Sequence, residues 1–314
     1  MKKLNVVILS NSKEFLDNTI NAIGYKEFLN FMIFTETLEY PNASSITIAK
    51  AETIKCIVIN TLVIDDSMMH YRDIFKKFLK KININVATPC YGGQMFVNYT
   101  TSLLMSIDTL RQFGIIIKPT FISNESLITR GRNLLVAKFM AHEENDYLLF
   151  IDSDVGWKPE EILKLVVANK PIVGGLYPKK RYNWDKLPTT EKHKLLDYVV
   201  NFRPEKIIES DKLLAVKHMG TGFMMISRQL LTQLFSKHPE RKYTDDTGSL
   251  NEHEAKFCYT LFDCKIHQGH YLSEDYLFCL LVSELGYNVF VDVTINLSHT
   301  GMHTFEGNFV SSFK

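Results

Sequence analysis

Five apolar residues, Tyr147-Leu148-Leu149-Phe150-Ile151, run unbroken into Asp152-Ser153-Asp154. No other stretch constrains the fold as tightly. A continuous apolar run of this length fits a strand buried on both faces, as in parallel sheets covered by helices. In such sheets the C-terminal strand ends open onto the ligand crevice. Two carboxylates spaced i, i+2 at that edge are hard oxygen donors suited to Mg²⁺ or Mn²⁺. A cation held there neutralises the negative charge that grows on a departing diphosphate. The competing reading is local: Asp152 or Asp154 caps the helix that opens near Pro159.

The flanking sequence alternates strands and helices. Asn85–Thr88 reads as a strand that ends in Pro89-Cys90-Tyr91-Gly92-Gly93, with a helix following over about 98–113. Ile115–Ile122 is the next strand and Ser126–Met140 the next helix. Beyond the Asp pair, Ile162, Leu165 and Val166 mark the apolar face of a helix started by Pro159, and Pro171–Leu176 is a further strand. This order predicts a parallel sheet with right-handed crossovers. Residues 178–215 are basic and weakly patterned, an irregular excursion or small hairpin. Residues 237–262 are polar, with a turn signature at Asp245-Asp246-Thr247-Gly248. Both are long enough to act as active-site flaps.

Residues 1–83 read as a smaller α/β extension, and residues 84–314 as the main domain. The extension has expected strands at Leu4–Leu9, Phe31–Phe34 and Ile54–Ile59. Helices are expected from Ser12 to Ile23 and from Asp66 onward. Its Asp65–Asp66 pair imitates the main motif but reads as a helix start.

Composition excludes several classes. With 36 Lys+Arg against 35 Asp+Glu, the net charge is +1, which argues against broad electrostatic binding to nucleic acid or anionic membrane. A local basic rim at Lys179-Lys180-Arg181 stays open as a reading. A hydrophobic fraction of 46% and a charged fraction of 23% are those of a globular chain. Five scattered cysteines form neither a disulfide framework nor a metal knuckle, so a reducing cytoplasm is the expected location. No apolar run approaches the ~20 residues that span a bilayer. The basic start, Met1 to Ser10, reads as a strand rather than a signal peptide. Lys, Asn and Ile richness points to an AT-rich genome, of viral or phage kind. A dinucleotide fingerprint, a phosphate loop with Gly-Lys-Ser/Thr and a Gly-x-Ser-x-Gly elbow are all missing.

Several further stations follow in order: Ile128-Thr129-Arg130-Gly131-Arg132-Asn133, His218-Met219-Gly220-Thr221-Gly222, Ser273-Glu274-Asp275 and His299-Thr300-Gly301. Together with Asp152-Ser153-Asp154 they resemble GT-A fold glycosyltransferases, the family 2-like and Anp1-like nucleotide-sugar transferases. The resemblance spans about 84–301. It implies an α/β Rossmann-like, mostly parallel sheet flanked by helices. It also implies transfer of a sugar from a nucleotide-sugar donor, a UDP- or GDP-sugar, to the hydroxyl of a glycan or other acceptor.

The same resemblance implies residue roles. Asp275 is the base that deprotonates the acceptor hydroxyl of an inverting reaction, and Glu274 orients that acceptor. Asp152, Asp154 and His299 hold Mn²⁺ or Mg²⁺. Pro89, Tyr91, Gly92, Arg130, Arg132, Asn133, Asp152, Ser153 and Gly222 face the donor. Gly220 faces the acceptor; apart from the resemblance, Trp157, close after the Asp pair, reads as an indole that stacks on an acceptor sugar.

Plainer readings stand beside these. Glu274 and Asp275 suit any helix N-terminus, Arg130 and Arg132 suit a solvated helix face, and Trp157 suits a core. The His299-x-x-x-His303 spacing imitates a zinc helix, but the metalloprotease Glu is missing and Thr300-Gly301 is poor helix sequence. Two other functions remain open: a nucleotidyltransferase, and a non-catalytic sugar- or nucleic-acid-binding protein on the same fold.

Overall fold

The computed structural model describes residues 5–9, 30–34 and 81–313, apart from 112, 185–190, 206 and 209–211. Strands β1 (Asn5–Leu9) and β2 (Asn30–Phe34) pair in parallel as a sheet of their own. They coincide with the first two expected strands. The expected strand at Ile54–Ile59 and both expected helices of this extension lie outside the described residues.

The main body opens with β3 (Ile82–Cys90), α1 (Val97–Arg111), β4 (Ile115–Ser123), α2 (Ile128–Ala141) and β5 (Tyr147–Ile151). A two-residue strand, β6 (Val155–Gly156), then leads into α3 (Pro159–Ala168) and β7 (Ile172–Gly174). The basic stretch that follows forms a hairpin of β8 (Pro178–Tyr182) and β9 (Leu196–Tyr198), then an edge strand β10 (Val200–Phe202). Next come β11 (Leu213–Met219), β12 (Phe223–Ser227) and α4 (Arg228–Lys237). The chain ends with the hairpin β13 (Lys265–His267) and β14 (His270–Leu272), then α5 (Glu274–Glu284), β15 (Val289–Asp292), β16 (Ser298–Thr300) and β17 (Thr304–Glu306).

The central sheet has eight strands in the order β10-β11-β15-β7-β12-β5-β3-β4. Six of them run one way; β11 and β12 run against the rest. The sheet is therefore mainly parallel and flanked by helices, as the expected fold class has it. β11 and β12 run the same way although only Gly220-Thr221-Gly222 joins them; β15 and β7 lie between them in the sheet, so the chain steps sideways at this link without turning back.

All five residues of β5 are buried, and they alternate between two cores. Leu148 and Phe150 join the core covered by α2, α4 and α5. Tyr147, Leu149 and Ile151 join the core covered by α1 and α3. Each fully buried Leu, Ile or Phe contributes about 1.5–3 kcal/mol, so this strand is anchored from both sides. The carboxylates at its end inherit that rigidity. The capping alternative does not hold: α3 is preceded by Lys158, makes no side-chain cap bond, and carries Pro159, Glu160 and Glu161 in its first turn. No helix among the described residues is long and apolar enough to cross a membrane.

Candidate functional site

The edge beyond β5 collects residues from elements widely separated in the chain. The Asp152 N–H donates to the Gly222 carbonyl at 3.2 Å, which fixes the start of the Asp-Ser-Asp turn against β12. The Phe96 N–H donates to the Ser153 carbonyl at 2.9 Å and ties the loop after Tyr91-Gly92-Gly93 to the same turn. Gly92 has φ of 65°, a left-handed conformation that glycine adopts without strain. Pro89 lies near the end of β3, and the Tyr91 side chain is exposed.

Asp154 sits where β6 meets β16. His299 pairs with Val155 across those strands, and the Thr300 N–H donates to the Asp154 carbonyl at 2.8 Å. The His299 Nδ1 lies 2.8 Å from the Pro178 carbonyl. A carbonyl only accepts, so Nδ1 carries the proton and Nε2 is turned toward Asp154 Oδ1, 3.3 Å away. The Lys180 ammonium grips the other Asp154 oxygen. Burial works to raise the Asp154 carboxyl, but the contacts with His299 and Lys180 outweigh it and hold the group below its ordinary range.

Arg132 is the link between two acidic stations. It projects from α2 into the protein, where its Nη2 donates to Asp152 Oδ1 at 3.0 Å and its Nε to Glu274 Oε1 at 3.3 Å. Its guanidinium also lies 5.4 Å from the centre of the Phe150 ring. The remaining Nη1 is buried without a partner among the described residues. Asp275 follows on α5, accepting from the Ser273 hydroxyl and from the Tyr276 N–H. Burial, with the neighbouring Glu274 charge, pushes its carboxyl up to about 6, against the pull of Ser273 and Arg132. Asp275 thus ionises just below neutral pH, where a general base is most effective.

Sequence reasoning missed Tyr177. It is buried, its ring stands edge-on to His299 with centres 5.2 Å apart, and its hydroxyl accepts from the Gly222 N–H at 3.3 Å. Burial and the Asp152 and Asp275 charges push its phenol well above the ordinary value. It therefore stays neutral and keeps a proton to donate. The signal was present, because Tyr177 follows the C-terminal end of β7 just as Asp152 follows that of β5.

Tyr177 also accounts for the glycines. A Cβ on Gly222 would lie 2.7 Å from the Tyr177 ring and 3.0 Å from Asp152 Oδ2, and one on Gly220 would lie 2.2 Å from the Tyr177 hydroxyl. The group that needs the space is the phenol rather than a sugar.

Three expected site residues are occupied elsewhere. Asn133 is buried and clips the segment before the β13–β14 hairpin: its Nδ2 donates to the Phe262 carbonyl at 2.8 Å, and its Oδ1 accepts from the Leu261 and Phe262 N–H groups. Trp157 belongs to the core, its Nε1 donating to Ser106 at 2.9 Å and its ring edge-on to Tyr99. It is apolar bulk filling the space between α1 and the sheet, which replaces the sugar-stacking expectation. Arg130 pairs with Glu125 at 2.7 Å on the surface. His303 meets the Tyr182 hydroxyl at 3.0 Å, and it sits on a β-hairpin with His299 rather than on a zinc helix.

Of the three expected metal ligands, Asp154 and His299 face each other, while Asp152 is paired with Arg132. Asp152, Asp154, Glu274 and Asp275 supply four carboxylates against two permanent cations, Arg132 and Lys180. Asp154 Oδ1 is buried and facing the His299 Nε2, a pairing of oxygen and imidazole acceptable to Mn²⁺. The Pro178 carbonyl orients that imidazole from behind, as metal-binding histidines require. Among the described residues no set of three metal-ligating side chains is already gathered, and Lys180 stands on the second Asp154 oxygen.

No known family model matches the chain, and no curated protein matches it in sequence. Solved structures with a similar arrangement include A197 from STIV, 16% identical over 70% of this chain and 86% of that one, with a TM-score of 0.41. The inositol-1-phosphate CTP transferase from T. maritima is 9% identical over 68% of this chain and 85% of that one, with a TM-score of 0.34. S. aureus TarS 1–349 in complex with UDP-GlcNAc is 15% identical over 67% of this chain and 56% of that one, with a TM-score of 0.30.

Proposed function

We propose that this protein is a GT-A-type glycosyltransferase that moves a sugar from a nucleotide-sugar donor to an acceptor hydroxyl with inversion. One observation carries the reading. Arg132 joins Asp152, 20 residues from it, to Glu274, 142 residues from it, while Asp154 faces His299 on the adjoining strand. The stations that resemble the family in sequence thus converge at one sheet edge.

Asp275 takes the proton of the acceptor hydroxyl. The oxygen forms a bond to the anomeric carbon as the bond to the diphosphate breaks, and the nucleoside diphosphate leaves with the electron pair. Glu274, held by Arg132, orients the acceptor beside this base. Asp152, held by the same guanidinium, presents its second oxygen to the donor. Tyr177 keeps a neutral O–H between the two acidic stations. Asp154 and His299 are the residues that would hold Mn²⁺ or Mg²⁺, whose charge stabilises a leaving diphosphate.

The test is thermal denaturation with UDP-, GDP-, CMP- and dTDP-sugars, each with Mn²⁺ and with EDTA. Ligand at a hundred times its Kd adds about 2.7 kcal/mol to stability. A rise for one nucleotide class, dependent on metal and lost in Asp154→Ala, is expected. Product analysis then separates the classes: release of nucleoside diphosphate supports glycosyl transfer, and release of pyrophosphate makes the protein a nucleotidyltransferase. Flat curves for every nucleotide refute both.

A further inference from the structure

Strand β8 leads away from the site along one line of side chains. Lys180 grips Asp154, and a Cβ on Gly301 would press its stem at 3.3 Å. Two residues on, Tyr182 lies against Phe305, ring centres 5.0 Å apart, and against His303 at 5.9 Å. Two further on, Trp184 lies against Tyr182 with centres 5.4 Å apart. These contacts place Lys180 and Tyr182 beside the β16–β17 hairpin, and Trp184, just past the end of β8, leans on Tyr182. From Lys180 to Trp184 the backbone spans no more than about 14 Å. Trp184 is nevertheless 62% exposed. It is a large ring that leans on Tyr182 and is otherwise largely open to solvent.

We propose that Trp184, backed by Tyr182, which itself packs on His303 and Phe305, is a stacking platform for a carbohydrate chain, the distal part of an acceptor whose end reaches the Asp154–Asp275 edge. This rests on the glycosyl-transfer reading above and names the acceptor class. An aromatic face is electron-rich, and the C–H bonds on one face of a pyranose ring present the complementary partial positive charge. A neutral ligand suits the local charges. Arg181 is 3.6 Å from Asp197 and Lys180 is held by Asp154, so two of the three cations on this strand already face carboxylates. A phosphate backbone would have to compete for them. The platform also supplies the exposed tryptophan that Trp157 does not.

The chain has two tryptophans, and Trp157 is buried, so emission from an exposed indole reports Trp184. The full chain is titrated with cellotriose, chitotriose and maltotriose, and separately with a single-stranded oligothymidylate. Saturable quenching or a blue shift by at least one trisaccharide is expected. Calorimetry should show that Trp184→Ala weakens this binding by about tenfold or more, the scale of one lost aromatic stack. Trp184→Phe should restore most of it, and both variants should keep the wild-type melting temperature. The proposal is overturned if no trisaccharide perturbs the emission, if Trp184→Ala binds as well as wild type, or if the oligonucleotide quenches where the sugars do not.

Nucleotide-sugar binding, read by thermal shift in the same variants, separates the two ideas. A donor shift without a Trp184 response refutes the platform alone. A Trp184 response to sugar without any donor shift upholds the platform and refutes the transferase reading.

Discussion

Ionised Asp275 should weaken the fold that holds it. Its carboxyl is raised from 3.8 to about 6, chiefly by burial. A raised acid binds its proton more tightly in the folded chain than in the unfolded one, so stability falls as pH climbs from about 4 to about 6 and stays reduced above. The difference of about two pKa units corresponds to about 3 kcal/mol at 1.36 kcal/mol per unit.

Asp275→Asn removes that charge while its amide oxygen still accepts from Ser273 and from the Tyr276 N–H. After about 1 kcal/mol for fitting the new N–H groups, a net gain of about 2 kcal/mol is expected at pH 8, and a small net loss at pH 4, where the folded Asp275 is already protonated. Urea denaturation at the two pH values reads this directly, and a Tm rise of about 4 °C at pH 8 accompanies it. Transfer activity should vanish in the same variant. Equal stabilisation at both pH values, or a loss at pH 8, refutes the burial argument. Retained transfer refutes the base assignment.

Three further outcomes follow from the same geometry. Arg132→Met leaves Asp152 and Glu274 without their shared cation and should cost about 3 kcal/mol in urea unfolding. It should also move the rising limb of the kcat/KM pH profile upward, since Arg132 holds Asp275 down. Lys180→Met removes one of the two partners that depress Asp154, so a carboxyl NMR titration should show Asp154 protonating at higher pH; an unmoved titration removes Lys180 from the site. Asn133→Ala strands the Leu261 and Phe262 N–H groups and should cost about 2 kcal/mol of stability. Nucleotide-sugar affinity per folded molecule should not change, which distinguishes a structural clip from a donor contact.

What the sequence disclosed is what local pattern encodes. β5 begins and ends where its apolar run does, and Pro159 opens α3 as its fixed φ dictates. The reversal of β12 was hidden, because Gly220-Thr221-Gly222 reads equally well as a tight turn or as a step within one strand direction. Residue type placed Trp157 on a sugar, and the family resemblance placed Asn133 on the donor. An indole serves a core as readily as a sugar, and an amide satisfies a loop backbone as readily as a ribose. Tyr177 escaped because its role depends on Gly222 and His299, neither of them near it in the chain. The exposure of Trp184 could not be read from a basic, unpatterned stretch.

The guanidinium of Arg132 reaches one partner 20 residues away and another 142 residues away. Contacts of such separation close late, because long loops must be ordered before they reward the chain. This edge is therefore expected to be among the last parts of the molecule to form. Partly folded chains, even with β3, β4 and β5 assembled, lack Glu274 and His299 in position. Occupancy by a ligand thus reports that folding is complete, and a ligand that bridges these stations acts as a latch on the finished state.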